Sequence, residues 1–233
     1  MRFFSNATCL RILSVLIMLN YNRLGRRFLV LVMLWFPVDG IAQPKVMVLG
    51  DSLSAGYGIN YQSGWVNLLE QQLKPKYPDA IMVNASISGD TSTGALARLP
   101  QLLQLHEPDL VIVEIGGNDG LRGLSPQRLK KNISSIIELV EQNSTALLLQ
   151  MRIPLNYGKK YTEKFENVYA EVSESFAVTL APFILEEFVT DPEYMQADRI
   201  HPKVNAQPLI VEKILPFVIE ELSELPKTEP ALN

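Results

Sequence analysis

Short apolar runs alternate with helical patterns along the chain from residue 45 onward. The runs are continuous rather than alternately apolar and polar, which is typical of strands that are covered on both faces. Between them, apolar residues recur every three or four positions, which is the spacing of one helix face. The predicted strands lie at 46–49, 80–83, 110–115, 146–150 and 178–180.

Strands that alternate with helices join through right-handed crossovers into a parallel sheet. The helical stripes consist of Trp65, Leu68, Leu69 and Leu73; of Leu96, Leu99, Leu102 and Leu103; and of Leu129, Ile133, Ile136, Ile137 and Val140. A last helix is predicted over 207–222. We therefore predict one three-layer α/β domain, in which a five-stranded parallel sheet carries helices on both faces.

The first 42 residues have a different composition, with five arginines, one acidic residue and two apolar runs, at 10–19 and 28–36. The second run is about nine residues long, short of the roughly 20 that span a bilayer as a helix. It is followed by Gly40-Ile41-Ala42, the small-x-small pattern that signal peptidases cleave. We expect residues 1–42 to be a signal peptide or export segment that is cleaved after Ala42, and Met18 is the alternative start.

The domain itself is expected over 43–224, followed by a flexible tail at 225–233. Export to the periplasm is the expected localisation, and an uncleaved membrane anchor is the alternative.

Without residues 1–42, the 21 basic and 25 acidic residues fall to 16 and 24, a net charge of about −8. A nucleic-acid partner is not expected at this charge. The single cysteine, Cys9, lies in the export segment, so no disulfide is expected.

Glycines and small polar residues follow the predicted strands, at the edge where the sites of parallel sheets form. Ser52 follows the first strand, and a serine hydroxyl needs a base, most often histidine, to act as a nucleophile. His201 follows the last strand and stands three residues after Asp198, a spacing at which a turn can bring carboxylate to imidazole. An Asp-x-x-His spacing alone also fits an ordinary polar loop. His106 ends a helical stripe, where a histidine favourably caps the helix.

Gly89 and Asn118 follow the second and third strands and can donate N–H groups to a developing oxyanion. Each also has a plain structural explanation, since Gly89 permits a tight turn and Asn118 is a common turn residue. The chain has neither a phosphate-binding P-loop nor the G-x-S-x-G elbow, because position 54 is serine. Two distant histidines do not make a metal site, so we expect no cofactor and no metal.

Four blocks in this order resemble those of the SGNH (GDSL) hydrolase family: Gly50-Asp51-Ser52-Leu53, Gly89, Gly116-Gly117-Asn118-Asp119 and Asp198-x-x-His201. The stretches GDSLSAGYG, VNASISGDTSTGALARLP and GGNDGLRG are similar to periplasmic esterases of the thioesterase, protease and lysophospholipase type and to bacterial arylesterases. The likeness covers essentially all of residues 45–222. It implies a flavodoxin-like fold with strand order 2-1-3-4-5 that hydrolyses fatty acyl esters and thioesters without a cofactor.

The resemblance also implies a role for each site residue. Ser52 would be the nucleophile, His201 the base and then the acid, and Asp198 the residue that orients His201. The oxyanion hole would consist of the Ser52 N–H, the Gly89 N–H and the Asn118 side chain. Residues 119–124 correspond to a mobile loop over the acyl chain, which implies substrate contacts for Asp119, Leu121 and Leu124, and Ile153 with Pro154 would line the acyl site.

Two positions depart from the resemblance. Ile153 stands where related thioesterases have leucine, and Arg199 stands where glycine is common. Both changes affect the expected acyl-length preference rather than the nucleophile.

We expect a monomeric enzyme with a small acyl ester or thioester as substrate. The alternatives to this function are a carbohydrate O-deacetylase and a non-catalytic binding module.

Overall fold

A computed structural model of the chain describes residues 14–18, 29–33 and 43–225. The described residues fall into two compact units, one that contains 14–18 and 29–33 and one that contains 43–225. In the first unit, β1 (Ser14–Met18) and β2 (Leu29–Met33) form an antiparallel ladder. These strands lie within the two apolar runs of the expected export segment. The predicted cleavage site at Ala42, the cysteine at position 9 and the tail from 226 lie outside the described residues.

The second unit is built on a parallel sheet of five strands. They are β3 (Lys45–Gly50), β4 (Ile81–Asn84), β5 (Leu110–Glu114), β6 (Thr145–Leu149) and β7 (Thr179–Ala181). Their order in the sheet is β4-β3-β5-β6-β7, which is the order 2-1-3-4-5. The predicted strands, their parallel arrangement and their order are confirmed.

The helices of this unit are α1 (Ser52–Ala55), α2 (Trp65–Leu73), α3 (Ser92–His106), α4 (Gly117–Leu121), α5 (Pro126–Val140), α6 (Lys159–Phe176) and α7 (Gln207–Glu224). Helix α2 packs against α7, and α5 packs against both α3 and α6. Right-handed crossovers place these two groups on opposite faces of the sheet. The three-layer architecture is therefore the predicted one.

Strand β4 differs from the expectation that every strand is covered on both faces. It lies at the edge of the sheet, paired only with β3. Ile81 is 46% exposed, and the remaining residues of β4 are only partly buried, whereas every residue of β5 is buried. An apolar run in the sequence does not distinguish an edge strand from a central one.

Helix α6 matches none of the stripes identified in the sequence. Its buried positions recur at helical spacing, but Thr162 and Tyr169 interrupt the aliphatic pattern. Tyr169 is fully buried, and its hydroxyl donates to the Ile115 carbonyl at 2.9 Å, which removes the cost of burying it.

His106 is the last residue of α3, as predicted, and α3 leads into the amino end of β5. This histidine is therefore at the opposite end of the sheet from the residues that follow the strands. Within the described ranges, we find no helix that combines the length and the apolar character of a membrane span.

Candidate active site

Ser52 lies directly after the central strand β3, as the first residue of the short helix α1. Asp51 caps this helix, since its carboxylate accepts the Leu53 N–H at 3.1 Å. We call residues 50–54 the nucleophile turn. Ser52 is 9% exposed, and the other residues of this turn are also buried.

The structure brings His201 and Asp198 to Ser52 although they are far away in the sequence. Ser52 Oγ lies 2.8 Å from His201 Nε2, and His201 Nδ1 lies 2.7 Å from Asp198 Oδ2. The second oxygen of Asp198 accepts the backbone N–H groups of Ile200 and His201, at 3.0 and 3.1 Å. Both carboxylate oxygens are therefore held, and the ring is fixed between Asp198 and Ser52.

The charge of Asp198 determines which nitrogen of His201 carries the proton. Partial burial raises the pKa of Asp198, but the hydrogen bonds from the His201 ring and from the Ile200 and His201 amides outweigh burial and lower this pKa below its ordinary value. Asp198 therefore stays ionised and accepts the Nδ1 proton, which leaves Nε2 to accept the Ser52 proton. The arrangement can remove the proton from a serine hydroxyl.

The loop that carries His201 is held in place from both sides. Gln196 donates its backbone N–H to the His201 carbonyl at 2.8 Å and its side-chain amide to the Tyr57 carbonyl at 2.8 Å. Arg199 has φ of +59°, a left-handed conformation that favours glycine, which is the residue expected there from the resemblance. The surrounding bonds hold arginine in this conformation.

Tyr57 is a neighbour of His201 that was not among the predicted site residues. Its ring lies 4.4 Å from the imidazole, centroid to centroid, at an angle of 38°. An aromatic face attracts a cation, so Tyr57 is placed to stabilise a protonated His201. A tyrosine between two glycines resembles an ordinary turn, and the sequence carries no signal that it contacts a residue so far along the chain.

The predicted oxyanion donors come from the segments after β4 and β5. Asn118 donates one side-chain N–H to Asp51 at 3.1 Å. An amide nitrogen carries two N–H groups, so the second is left for another acceptor. Gly89 lies in the loop after β4, and Ile87 N in that loop donates to the Gly50 carbonyl at 3.1 Å. Both predicted donors therefore lie on segments that are bonded to the nucleophile turn.

Asp119 does not face an open site, which corrects the prediction that it contacts substrate. It is 1% exposed, and its two oxygens accept the Ser92 backbone N–H and hydroxyl, at 2.7 and 2.6 Å. Asn132 donates to the same hydroxyl at 2.9 Å. The carboxylate is placed by these donors at the start of α3, so Asp119 joins α3, α4 and α5.

The other predicted substrate residues differ in exposure. Ile153, which is predicted to line the acyl site, is 5% exposed, and its side chain lies close to Gly120 of α4. Pro154 is exposed, and Leu121 and Leu124 are partly exposed. These three residues lie near the active-site end of the sheet.

Two tyrosines, one just before α6 and one in its first turn, form hydrogen bonds to residues 121–124. The Tyr157 hydroxyl donates to the Leu121 carbonyl at 2.9 Å, and the Tyr161 hydroxyl donates to the Leu124 carbonyl at 2.7 Å. Neither contact was predicted from the sequence. Among the described residues, no group of three or more histidine, cysteine, aspartate or glutamate side chains could hold a metal ion.

Known proteins are similar to this chain in both sequence and fold. Residues 48–207 match the GDSL-like Lipase/Acylhydrolase family. An arylesterase of Vibrio mimicus is 46% identical over 182 residues, covering 78% of this chain and 89% of the relative. The thioesterase 1/protease 1/lysophospholipase L1 of Escherichia coli K12 is 45% identical over 199 residues, covering 84% and 93%. The crystal structure of TesA is similar with a TM-score of 0.74 at 44% identity, covering 76% of this chain and 99% of its own. The chain therefore belongs to the GDSL-like lipase/acylhydrolase family, the SGNH hydrolases.

Proposed function

We propose that this protein hydrolyses acyl esters and thioesters through an acyl-enzyme on Ser52. The observation that carries the proposal is the continuous chain of hydrogen bonds from Ser52 through His201 to Asp198, at 2.8 and 2.7 Å. The relatives named arylesterase and thioesterase 1/protease 1/lysophospholipase L1 support the hydrolysis of ester and thioester bonds.

In the first step, Ser52 Oγ attacks the acyl carbon while its proton passes to His201 Nε2. The C–O or C–S bond then breaks, and the leaving alcohol or thiol takes that proton. In the second step, a water molecule gives a proton to Nε2 and attacks the acyl carbon. The bond between Ser52 Oγ and the acyl carbon then breaks, Oγ takes the proton back from Nε2, and the acid is released. Asp198 stays ionised throughout and stabilises the imidazolium that forms in each step.

The negative charge that develops on the acyl oxygen requires N–H donors. We assign this role to the backbone N–H groups of Ser52 and Gly89 and to the Asn118 amide. The bond from Asn118 to Asp51 supports the assignment, because it holds the amide beside the nucleophile turn. The bond from Ile87 to the same turn supports it for Gly89.

The acyl chain is proposed to lie against Leu121, Leu124 and Pro154. A buried methylene contributes about 0.8 kcal/mol, or about fourfold in kcat/KM. We therefore expect kcat/KM for p-nitrophenyl esters to rise over several steps from acetate toward longer chains, measured in a series up to palmitate. A maximum at acetate would instead favour a carbohydrate O-deacetylase.

A pair of leucine variants tests the place of the acyl chain. Leu121→Ser should flatten the increase with chain length while leaving acetate hydrolysis within about threefold. Leu105→Ser is the matched control, because Leu105 is 70% exposed in α3, close to the amino end of β5. An unchanged slope in Leu121→Ser would place the acyl chain elsewhere.

We further propose that the protein is exported and acts as a monomer after residues 1–42 are removed. The arginines, apolar runs and small-x-small motif of this segment support export. Mass spectrometry of the protein from the periplasmic fraction should give a chain that begins at Gln43, and light scattering should give the mass of one chain. An intact amino terminus in the membrane fraction would support the anchor instead.

A further inference from the structure

Glu114 is a buried carboxyl group that the proposed mechanism does not use. It ends β5, pairs in register with Gly50 of β3 and is 0% exposed. Its Oε2 is hydrogen-bonded to Ser54 Oγ at 2.6 Å and to the Asp51 N–H at 3.3 Å. These two residues flank Ser52 in the nucleophile turn, so Glu114 holds the turn on both sides of the nucleophile.

Glu114 and the turn approach each other so closely that they restrict which residue fits at position 50. A Cβ atom on Gly50 would lie 2.8 Å from Glu114 Oε2 and 2.7 Å from Ser54 Oγ. Any side chain at position 50 would therefore push the carboxyl group away from the turn. Gly50 is required here by close approach rather than by a turn conformation.

The surroundings of Glu114 provide no charge that balances a carboxylate. The charged or titratable groups near Glu114 and Asp51 are Asp90, Arg98, Tyr169 and His201, and Tyr169 also lies near Asp119. Arg98 lies in an ion pair with Asp90 at 2.8 Å. Within the described part of the chain, Glu114 Oε1 is buried without a hydrogen-bond partner. A carboxylate in this position would be both desolvated and unpaired.

Burial, together with the nearby charge of Asp51, raises the pKa of Glu114 well above its ordinary value. Burial also raises the pKa of Asp51 to about 6, while the hydrogen bonds from Leu53 and Asn118 oppose this rise. Of these two buried carboxyl groups, Glu114 therefore favours the protonated form, whereas Asp51, which accepts the Leu53 N–H and the Asn118 amide, favours the charged form. The ionised Asp51 is the acceptor of the Asn118 amide.

We propose that Glu114 acts as a neutral carboxylic acid that positions the nucleophile turn and, through Asp51, the Asn118 amide. An apolar side chain would fill the same space without the cost of burying a polar group. The carboxyl group instead forms two hydrogen bonds that define the positions of residues 51 and 54. This inference rests on the proposed function, because the turn is the one that carries Ser52.

Two variants separate positioning from packing. Glu114→Gln keeps an acceptor and a donor and cannot ionise, so its kcat with p-nitrophenyl acetate should stay within about threefold of wild type. Glu114→Met keeps the length of the side chain without the hydrogen bonds, and its kcat should fall roughly 10- to 100-fold at a similar KM, because small misplacements are costly. A Met variant within twofold of wild type, or a Gln variant as impaired as Met, would overturn the proposal.

The pH dependence of activity gives a second readout. The wild-type kcat/KM should fall on the alkaline side as Glu114 ionises beside Asp51, and Glu114→Gln should lack this loss. Identical alkaline profiles in the two proteins would contradict a neutral Glu114.

Unfolding measurements test the protonation state without turnover, so they remain decisive if Ser52 is not the nucleophile. An unfolded glutamate ionises near pH 4.3, whereas folded Glu114 keeps its proton to a higher pH. Between these values the native state binds more protons, so wild type loses stability as pH rises. The unfolding constant of wild type relative to Glu114→Gln should therefore rise by up to tenfold per pH unit. Glu138→Gln, which replaces an exposed glutamate of α5, is the matched control, and a flat ratio for Glu114→Gln would overturn the proposal.

Discussion

We expect Ser52→Ala to lower kcat for p-nitrophenyl butyrate by roughly 10⁶-fold. Alanine removes the oxygen that lies 2.8 Å from His201 Nε2, so no acyl-enzyme can form. The remaining donors and the binding site should still hydrolyse the ester roughly 10³- to 10⁴-fold faster than water alone. Steady-state kinetics on the purified mature protein measure this loss.

The matched control is Ser175→Ala. Ser175 is an exposed serine in α6, and its hydroxyl donates to the Glu171 carbonyl one turn earlier in the same helix. Its kcat should stay within twofold of wild type, and both variants should keep the wild-type circular dichroism. If Ser52→Ala retained a tenth of wild-type turnover, another group would be the nucleophile.

The second large effect is expected for Asp198→Asn, which should lower kcat by roughly 10⁴-fold. The side-chain oxygen of the introduced asparagine would still accept the Ile200 and His201 amides, which leaves its NH₂ group facing His201 Nδ1. The ring would then carry its proton on Nε2, and it could no longer accept the proton of Ser52. The opposite orientation of the amide would place its NH₂ group against the two backbone donors.

Asp79→Asn is the control for this variant, because Asp79 is an exposed carboxylate in the connection between α2 and β4. It should stay within twofold of wild type. The Asp198→Asn protein should remain folded, as judged by thermal unfolding. A loss smaller than about tenfold would mean that Asp198 does not set the tautomer of His201.

The sheet is the part of the fold that could be predicted best. Continuous apolar runs such as 46–49 and 110–115 correspond to central strands that are buried on both faces. The crossover rule then determines that helices lie on each side. The edge position of β4 was not predictable, because apolar content does not report which neighbours a strand has.

Helix α6 shows a different limit of the sequence pattern. Two of its buried positions, Thr162 and Tyr169, are polar, and they are compatible with burial only because each finds a hydrogen-bond partner. These partners are backbone carbonyls, and the Ile115 carbonyl belongs to a distant strand end. A pattern based on side-chain polarity cannot contain this information.

The arrangement of Ser52, Asp198 and His201 was predictable from the order of the strands and the scarcity of histidines. The roles of buried carboxylates were not. Asp119 follows a strand at the site end of the sheet, yet its oxygens face Ser92. Glu114 ends an apolar strand without any sign that it contacts the nucleophile turn. In both cases the direction of the side chain decides its role, and direction depends on packing.

The most direct measurement of the central claim is covalent labelling of the mature protein with a fluorophosphonate, followed by peptide mass spectrometry. We predict a single adduct on Ser52 in wild type, strongly reduced labelling in Asp198→Asn and an unchanged adduct in Ser175→Ala. An adduct on another residue, or continued ester hydrolysis by protein that carries no label at Ser52, would contradict the assignment of Ser52 as the nucleophile.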